Sequence, residues 1–198
     1  MKRNEKIFWF VAILYLVVMV IQCNKPALAQ RIILQKPFGT IIYDDSLKCP
    51  IDVSFFLNAG SRSSAIRRGK WAFKADPALP KPRATSSDYT NSGYQRGHMC
   101  PAADMASSRA LMKSTFVMSN IAPQAPSLNM GEWKRIETEH RQISAIYDGC
   151  SVRVGALFLN DSYPIIGRHG IAVPSHFIRI LWKAGSSFPT HISIVENR

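Results

Sequence analysis

Tyr94-Gln95-Arg96-Gly97-His98-Met99-Cys100-Pro101-Ala102-Ala103-Asp104-Met105 sets an Arg and a His on either side of a single Gly. In an extended segment side chains alternate faces, so Arg96 and His98 point the same way. A permanent cation beside an imidazole suits a phosphate: Arg engages non-bridging oxygens, and a neutral imidazole takes a proton from water. Ser119-Asn120-Ile121-Ala122-Pro123-Gln124 follows downstream, and then Asn129, Trp133 and Glu137. On a helix opening near Leu128 and Asn129, those three occupy successive turns of one surface. An amide oxygen and a carboxylate there, facing an Arg and a His on a strand, would hold a hydrated Mg²⁺ and a phosphodiester together.

These residues resemble the DNA/RNA non-specific endonuclease family, whose fold centre is the ββα-metal (His-Me) finger. The resemblance runs from about Pro50 to Val195. The family writes its first motif as Asp-Arg-Gly-His followed by a small-residue and Pro run, which stands here as Gln95 to Pro101. Its second motif is Asn-x-x-Pro-Gln, then an Asn, a Trp and a Glu at fixed intervals. Asn120, Pro123, Gln124, Asn129, Trp133 and Glu137 meet every position. Weaker echoes are Asp76-Pro77, Asp88-Tyr89 and Val173-Pro174-Ser175-His176-Phe177. The resemblance implies metal-dependent, sugar-non-specific cleavage of DNA and RNA. It makes Arg96 and His98 catalytic, gives the metal to Asn129, and leaves Glu137 and Asn120 supporting. The chain departs from the pattern in three places. The family's acidic residue before Arg96 is Gln95. A further upstream Arg falls near Trp71, with Lys70 or Arg68 as its candidate replacement. Family members usually continue into another helix beyond the point where this chain ends, at Arg198.

Composition agrees with a polyanion partner. The chain has 198 residues, enough for one domain with a core, and is 46% apolar. A net charge of +12 and a pI near 9.9 attract nucleic acid or an anionic membrane surface; the bland alternative is solubility alone. Lys2, Arg3 and Lys6, the uncharged run Ile7 to Ile21 and Ala27-Leu28-Ala29 spell a signal peptide over residues 1–29, cleaved before Gln30. An uncleaved anchor is the alternative, since a spanning helix takes about 20 residues. Cys23 raises a lipoprotein reading, but Val20-Ile21-Gln22 lacks the small residues such a site wants. The expectation is an exported protein, periplasmic or secreted, whose domain covers residues 30–198, with no stable membrane association after cleavage. Cys49, Cys100 and Cys150 would survive cleavage, and no Cys-x-x-Cys pair argues for zinc. Cys49 and Cys150 each open an expected strand, so they form the expected disulfide and Cys100 stays free.

The pattern predicts an α+β fold with a mostly antiparallel sheet and the ββα-metal finger at the active site. Strands are expected at 40–43, 53–57, 70–74, 115–119, 152–159, 176–182 and 191–195, with helical composition at 106–112. Arg31 to Leu47 reads otherwise as a lead-in, and Asp76 to Ser92 as a long loop of the kind that often carries function. Arg62, Arg67, Arg68, Lys70 and Lys74 form the densest basic segment after the start of the chain. They are candidate phosphate contacts, or else a solvated rim. Trp133, Ile136, His140, Ile143 and Tyr147 recur at helical spacing, so Trp133 and His140 read as core rather than as a base platform or a ligand.

Each candidate carries a plain alternative. His98, with an unperturbed pKa of about 6.5, is the expected general base. Asn129 is the expected ligand of Mg²⁺, which keeps most of its waters, or else a helix cap. Glu137 would accept hydrogen bonds from metal-bound waters or from Arg96, or else is a surface charge. Asn120 orients its loop or His98 rather than meeting the metal. Rival readings are an exported nucleic-acid-binding protein with an inactive nuclease-like site, suggested by Gln95 and the short C-terminus, and a delivered toxin, for which no partner domain is visible.

Overall fold

Alternating apolar residues organise the largest sheet. The computed structural model describes residues 31–59, 66–160 and 162–198, so the expected signal segment, Arg62 and Asp161 lie outside the described residues. Arg31–Lys36 (β1), Gly39–Asp44 (β2), Cys49–Leu57 (β3), Cys150–Leu157 (β6), His176–Lys183 (β9) and His191–Glu196 (β10) form a six-stranded sheet in the order β1-β2-β3-β6-β9-β10. Every adjacent pair is antiparallel. On β9 the period-2 rule separates two faces. Phe177 and Leu181 join the main core with Ile41, Val53, Leu57 and Val154, while Ile178 and Ile180 form a small cluster with Leu157. The α+β, mostly antiparallel architecture is as expected.

Helix α3 (Glu132–Ile146) lies on the first of those faces. Trp133 packs on Phe177 with ring centroids 5.6 Å apart. Ser144 Oγ donates to the Leu57 carbonyl at 2.8 Å, and His140 Nδ1 accepts from Arg179 Nε at 3.2 Å. Trp133 and His140 are therefore core residues, as their spacing predicts.

The finger stands beside this layer. Gln95–His98 (β4) pairs antiparallel with Ile121–Gln124 (β5), and β5 leads into α2 (Pro126–Met130) and α3. Pro126 opens α2 at a position where a missing N–H costs nothing. Asn197, near the end of the chain, clips this junction. Its Oδ1 accepts from Ala125 N (2.8 Å), and its Nδ2 donates to the carbonyls of Pro123 (3.0 Å) and Pro174 (2.8 Å). A short hairpin, Ile165–Ile166 (β7) and Ile171–Ala172 (β8), and helix α1 (Arg109–Ser114) complete the frame. No helix among the described residues is long and apolar enough to cross a membrane.

Several expectations need correction. The segment read as a lead-in is edge strand β1, paired from Arg31↔Asp44 to Lys36↔Gly39. Residues 70–74 form no strand; only Lys74 bridges to Val117. The strand expected at 115–119 arrives later, after a 3-10 turn at Met118–Asn120. The helix expected from Leu128 is two helices broken at Gly131, where a Cβ would lie 2.4 Å from the Ser127 carbonyl oxygen. The Cys49–Cys150 disulfide is absent: Cys49, Cys100 and Cys150 are all free, buried thiols. Cys150 pairs with Leu57, at the far end of β3 from Cys49. Eight residues of strand separate the two by about 26 Å, far beyond the reach of a disulfide.

Candidate active site

Strand β4 sets one wall. Gly97 faces the side chain of Gln124, and a Cβ at that position would fall 2.2 Å from Gln124 Oε1. Only Gly fits between Arg96 and His98 for this reason, which couples the Gln of the second motif to the Gly of the first. Arg96 is tied down on a 3-10 turn at Ser86–Tyr89. Its Nε donates to Ser86 Oγ (2.8 Å) and its Nη2 to the Ser86 carbonyl (2.5 Å), with the guanidinium over the Tyr89 ring at 5.5 Å. That turn is itself anchored. Buried Asp88 accepts from Thr85 N and Oγ1, each at 2.7 Å, and pairs with His169 Nδ1 at 2.8 Å.

His98 sits in an aromatic corner. Its ring lies 5.3 Å from Phe73 and 4.9 Å, edge-on, from Phe116. Its Nε2 is buried and has no hydrogen-bond partner among the described residues. Burial, and then the Arg68 guanidinium, push its pKa down to about 3, so the ring is neutral at physiological pH. Asn120 stays outside the cleft, fully buried. Its Oδ1 accepts from Cys100 N (2.9 Å), and its Nδ2 donates to the carbonyls of Cys100 and Thr115, each at 3.0 Å. It braces the chain just past His98, in line with an orienting role.

The helices set the other wall. Asn129 is not a cap: its N–H already donates to Ala125 O at 2.9 Å inside α2. Its side-chain Nδ2 donates to Gln95 Oε1 at 2.6 Å. Glu137 lies on α3, so the expected single helical surface is two helices meeting at Gly131. Trp133 turns into the core, while Asn129 and Glu137 line one cleft. Burial, and next the nearby Asp104 carboxylate, raise the Glu137 pKa to about 7. Asp104 is itself held by Arg179 Nη2 (2.6 Å) and Arg141 Nη1 (2.7 Å).

Arg96, His98, Asn129 and Glu137 thus line one cleft of about 500 Å³. Arg68, Lys134 and Arg141 line it too, giving four cationic side chains with Arg96 against one carboxylate. Arg67, Lys70 and Lys74 are exposed but lie outside the cleft lining. Sequence reading passed over Lys134 and Arg141. Helical spacing would have found them, because they stand three residues before and four after Glu137 and share its face. Among the described residues no group of three or more His, Cys, Asp and Glu side chains could hold a metal ion. The donors present, one amide oxygen with a carboxylate behind it, fit a hydrated Mg²⁺ rather than a caged cation.

Comparisons with known proteins identify the family. The family described as DNA/RNA non-specific endonuclease matches residues 22–192. Endonuclease G, mitochondrial, of Bos taurus is 39% identical over 108 residues, covering 50% of this chain and 36% of that protein. Nuclease EXOG, mitochondrial, of Xenopus laevis is 35% identical over 164 residues, covering 77% of this chain and 46% of that protein. The chain therefore spans less than half the length of these two curated relatives. A crystal structure of the EndoG/EndoGI complex superposes with a TM-score of 0.77 at 27% identity, over 92% of this chain and 80% of that one. With the match running through both motifs and the sheet behind them, the chain belongs to the DNA/RNA non-specific endonuclease family.

Proposed function

We propose that this protein is a metal-dependent, sugar-non-specific endonuclease hydrolysing phosphodiester bonds in DNA and RNA. The observation that carries the reading is the buried Nε2 of a neutral His98, without a hydrogen-bond partner among the described residues, beside a cleft lined by four cations. An imidazole held neutral can accept a proton from water at any pH above its depressed pKa. Arg96, tied through Nε and Nη2, has Nη1 to offer a non-bridging phosphate oxygen. Arg68, Lys134 and Arg141 add positive charge around the phosphates, and Arg67, Lys70 and Lys74 extend it outside the cleft. Asn129 Oδ1 would hold Mg²⁺, and Glu137 would accept hydrogen bonds from its waters. Mg²⁺, when bound, supplies charge stabilisation to the phosphoryl oxygens and the leaving alkoxide. Asn120 acts through the chain at Cys100, as a brace for His98.

We assign the nuclease domain to residues 30–198 and a cleaved signal peptide to residues 1–29. The Endonuclease G and EXOG relatives bear mitochondrial names. The uncharged apolar run Ile7 to Ile21 is nevertheless a secretory pattern, since mitochondrial presequences are amphipathic and Arg-rich. Export remains the reading for this chain. The rival, a nucleic-acid-binding protein with an inactive site, rests on Gln95 in place of the family's acid.

Purified protein should nick plasmid DNA and degrade RNA in Mg²⁺, and chelation should silence it. His98→Ala should lose about 10²–10⁴-fold in rate while still binding nucleic acid. Wild-type binding without turnover would favour the rival. Full activity of His98→Ala, or cleavage that survives chelation, would overturn the mechanism.

A further inference from the structure

Gln95 opens β4 and stands where the family carries an acid. We propose that it is the positioning residue that sets the direction of the Asn129 amide and so presents Oδ1 to the cleft. This rests on the reading of Asn129 as the metal ligand.

The argument is one of hydrogen-bond direction. An amide can face a neighbour with either its oxygen or its nitrogen. Here Gln95 Oε1 accepts from Asn129 Nδ2 at 2.6 Å, which leaves Asn129 Oδ1 with no hydrogen bond to any described residue. If both amides turned over, Gln95 Nε2 would donate to Asn129 Oδ1 and occupy the oxygen that the cation needs. Met130 discriminates between the two states. Gln95 Nε2 donates to Met130 Sδ at 3.4 Å. A thioether accepts weakly and cannot donate, so it tolerates the Gln95 nitrogen and offers nothing to its oxygen. The direction of the Asn129 amide is thus read from Met130 through Gln95. A carboxylate at position 95 would need no such reference, because it accepts only. It would fix Asn129 unconditionally and add a negative charge beside the site. This chain carries at position 95 a neutral orienter that depends on the residue next to the ligand.

The consequence is a cation affinity that depends on an acceptor at position 95, and on Met130 only while that acceptor is an amide. Loss of groups that orient a metal ligand typically costs about 10–100-fold in affinity. Mn²⁺ binding to the purified protein, measured by titration calorimetry without nucleic acid, reads this directly. Gln95→Met should weaken Mn²⁺ about tenfold or more, whereas Gln95→Glu should bind at least as tightly as wild type. Met130→Leu should weaken binding several-fold in the wild-type background and leave Gln95→Glu unchanged. Met130 is largely exposed, so this cycle decides the matter even where Gln95→Met folds poorly. Gln95→Met binding within twofold of wild type would overturn the proposal, as would an equal Met130→Leu effect in both backgrounds. Wild-type protein that takes up no Mn²⁺ would overturn the metal reading itself, and this inference with it.

Discussion

The six-stranded sheet and the ββα finger are held together by different forces. Ile41, Val53, Leu57, Val154, Phe177 and Leu181 are fully buried, and the sheet is secured by removing such side chains from water. The finger buries polar groups instead: Ser119, Asn120 and Gln124 are equally inaccessible, and Asp104 and Asp88 nearly so. Each of these except Gln124 is satisfied by a specific partner rather than by packing alone. Apolar burial tolerates small displacements; a network of directed hydrogen bonds fixes position to within a few tenths of an ångström. A catalytic wall needs the second kind of support; the platform behind it rests mainly on the first, with buried Arg179 on β9 and the Asp52–Arg153 pair between β3 and β6 as its polar ties.

Paired substitutions break this comparison most strongly. Leu57→Ala should cost about 2–5 kcal/mol by transfer and cavity formation. Asn120→Ala strands three buried backbone groups, at about 1–3 kcal/mol for each that stays unpaired. Both should lower the thermal midpoint, but only Asn120→Ala should lower kcat well below that midpoint, because it frees the chain just past His98. Equal activity per folded molecule in the two variants would show that the finger is no more demanding than the sheet.

The same division decides what the sequence discloses. Alternating apolar residues made β2, β3, β6, β9 and β10 readable, and the α3 stripe placed Trp133 and His140 in the core. Strand β5 went unread because Pro123 argues against a strand, yet it pairs with Arg96 in a two-stranded ribbon. Gly131 gave no warning of the break between α2 and α3, since its role is the clearance above the Ser127 carbonyl. Cys49 and Cys150 both begin strands, but antiparallel pairing puts those beginnings at opposite ends. Arg96, His98, Asn129 and Glu137 were legible as a set because their chemistry is spelled in two contiguous motifs. Their partners Ser86, Asp88, His169, Asp104 and Arg179 were not, since the couples they form exist only once distant segments meet.

A smaller effect separates the two walls by pH. Burial and Asp104 raise Glu137 from an ordinary 4.5 to about 7, while burial and Arg68 lower His98 from 6.5 to about 3. The folded state therefore holds an extra proton on Glu137 between about pH 4.5 and 7, and that contribution to stability is lost as pH rises through the window. His98 has the opposite sign: the unfolded chain takes up the proton first, so stability falls as pH drops from about 6.5 toward 3. For catalysis, the acid limb of kcat/KM should lie near pH 7 and belong to Glu137, with no limb at the ordinary histidine value. Glu137→Gln should lower activity and flatten that limb. In wild type the limb should move to lower pH as Mg²⁺ rises, because the cation favours the carboxylate. A limb near pH 6.5 that survives in Glu137→Gln would assign the titration to His98 instead.

The smallest expected difference lies within the basic segment itself, between two adjacent arginines. Arg68 lines the cleft, with its guanidinium 4.8 Å from the Phe116 ring centroid, beside the corner that holds His98. Arg67 is exposed outside that lining. If each meets one phosphate, either change to Ala should reduce the slope of log affinity against log salt by about 1, and should do so on unrelated sequences alike. Their kinetics should then diverge. Arg67→Ala removes binding that is equal in ground and transition states, so KM should rise and kcat should hold. Arg68→Ala also removes the charge that helps burial keep His98 deprotonated, so its fall in kcat toward acid should begin at a higher pH than in Arg67→Ala, in addition to the rise in KM. Identical kcat profiles for the two variants down to about pH 4 would mean that Arg68 is only another rim charge. The electrostatic boundary of the site would then run inside the cleft, at Arg96, rather than through the basic segment.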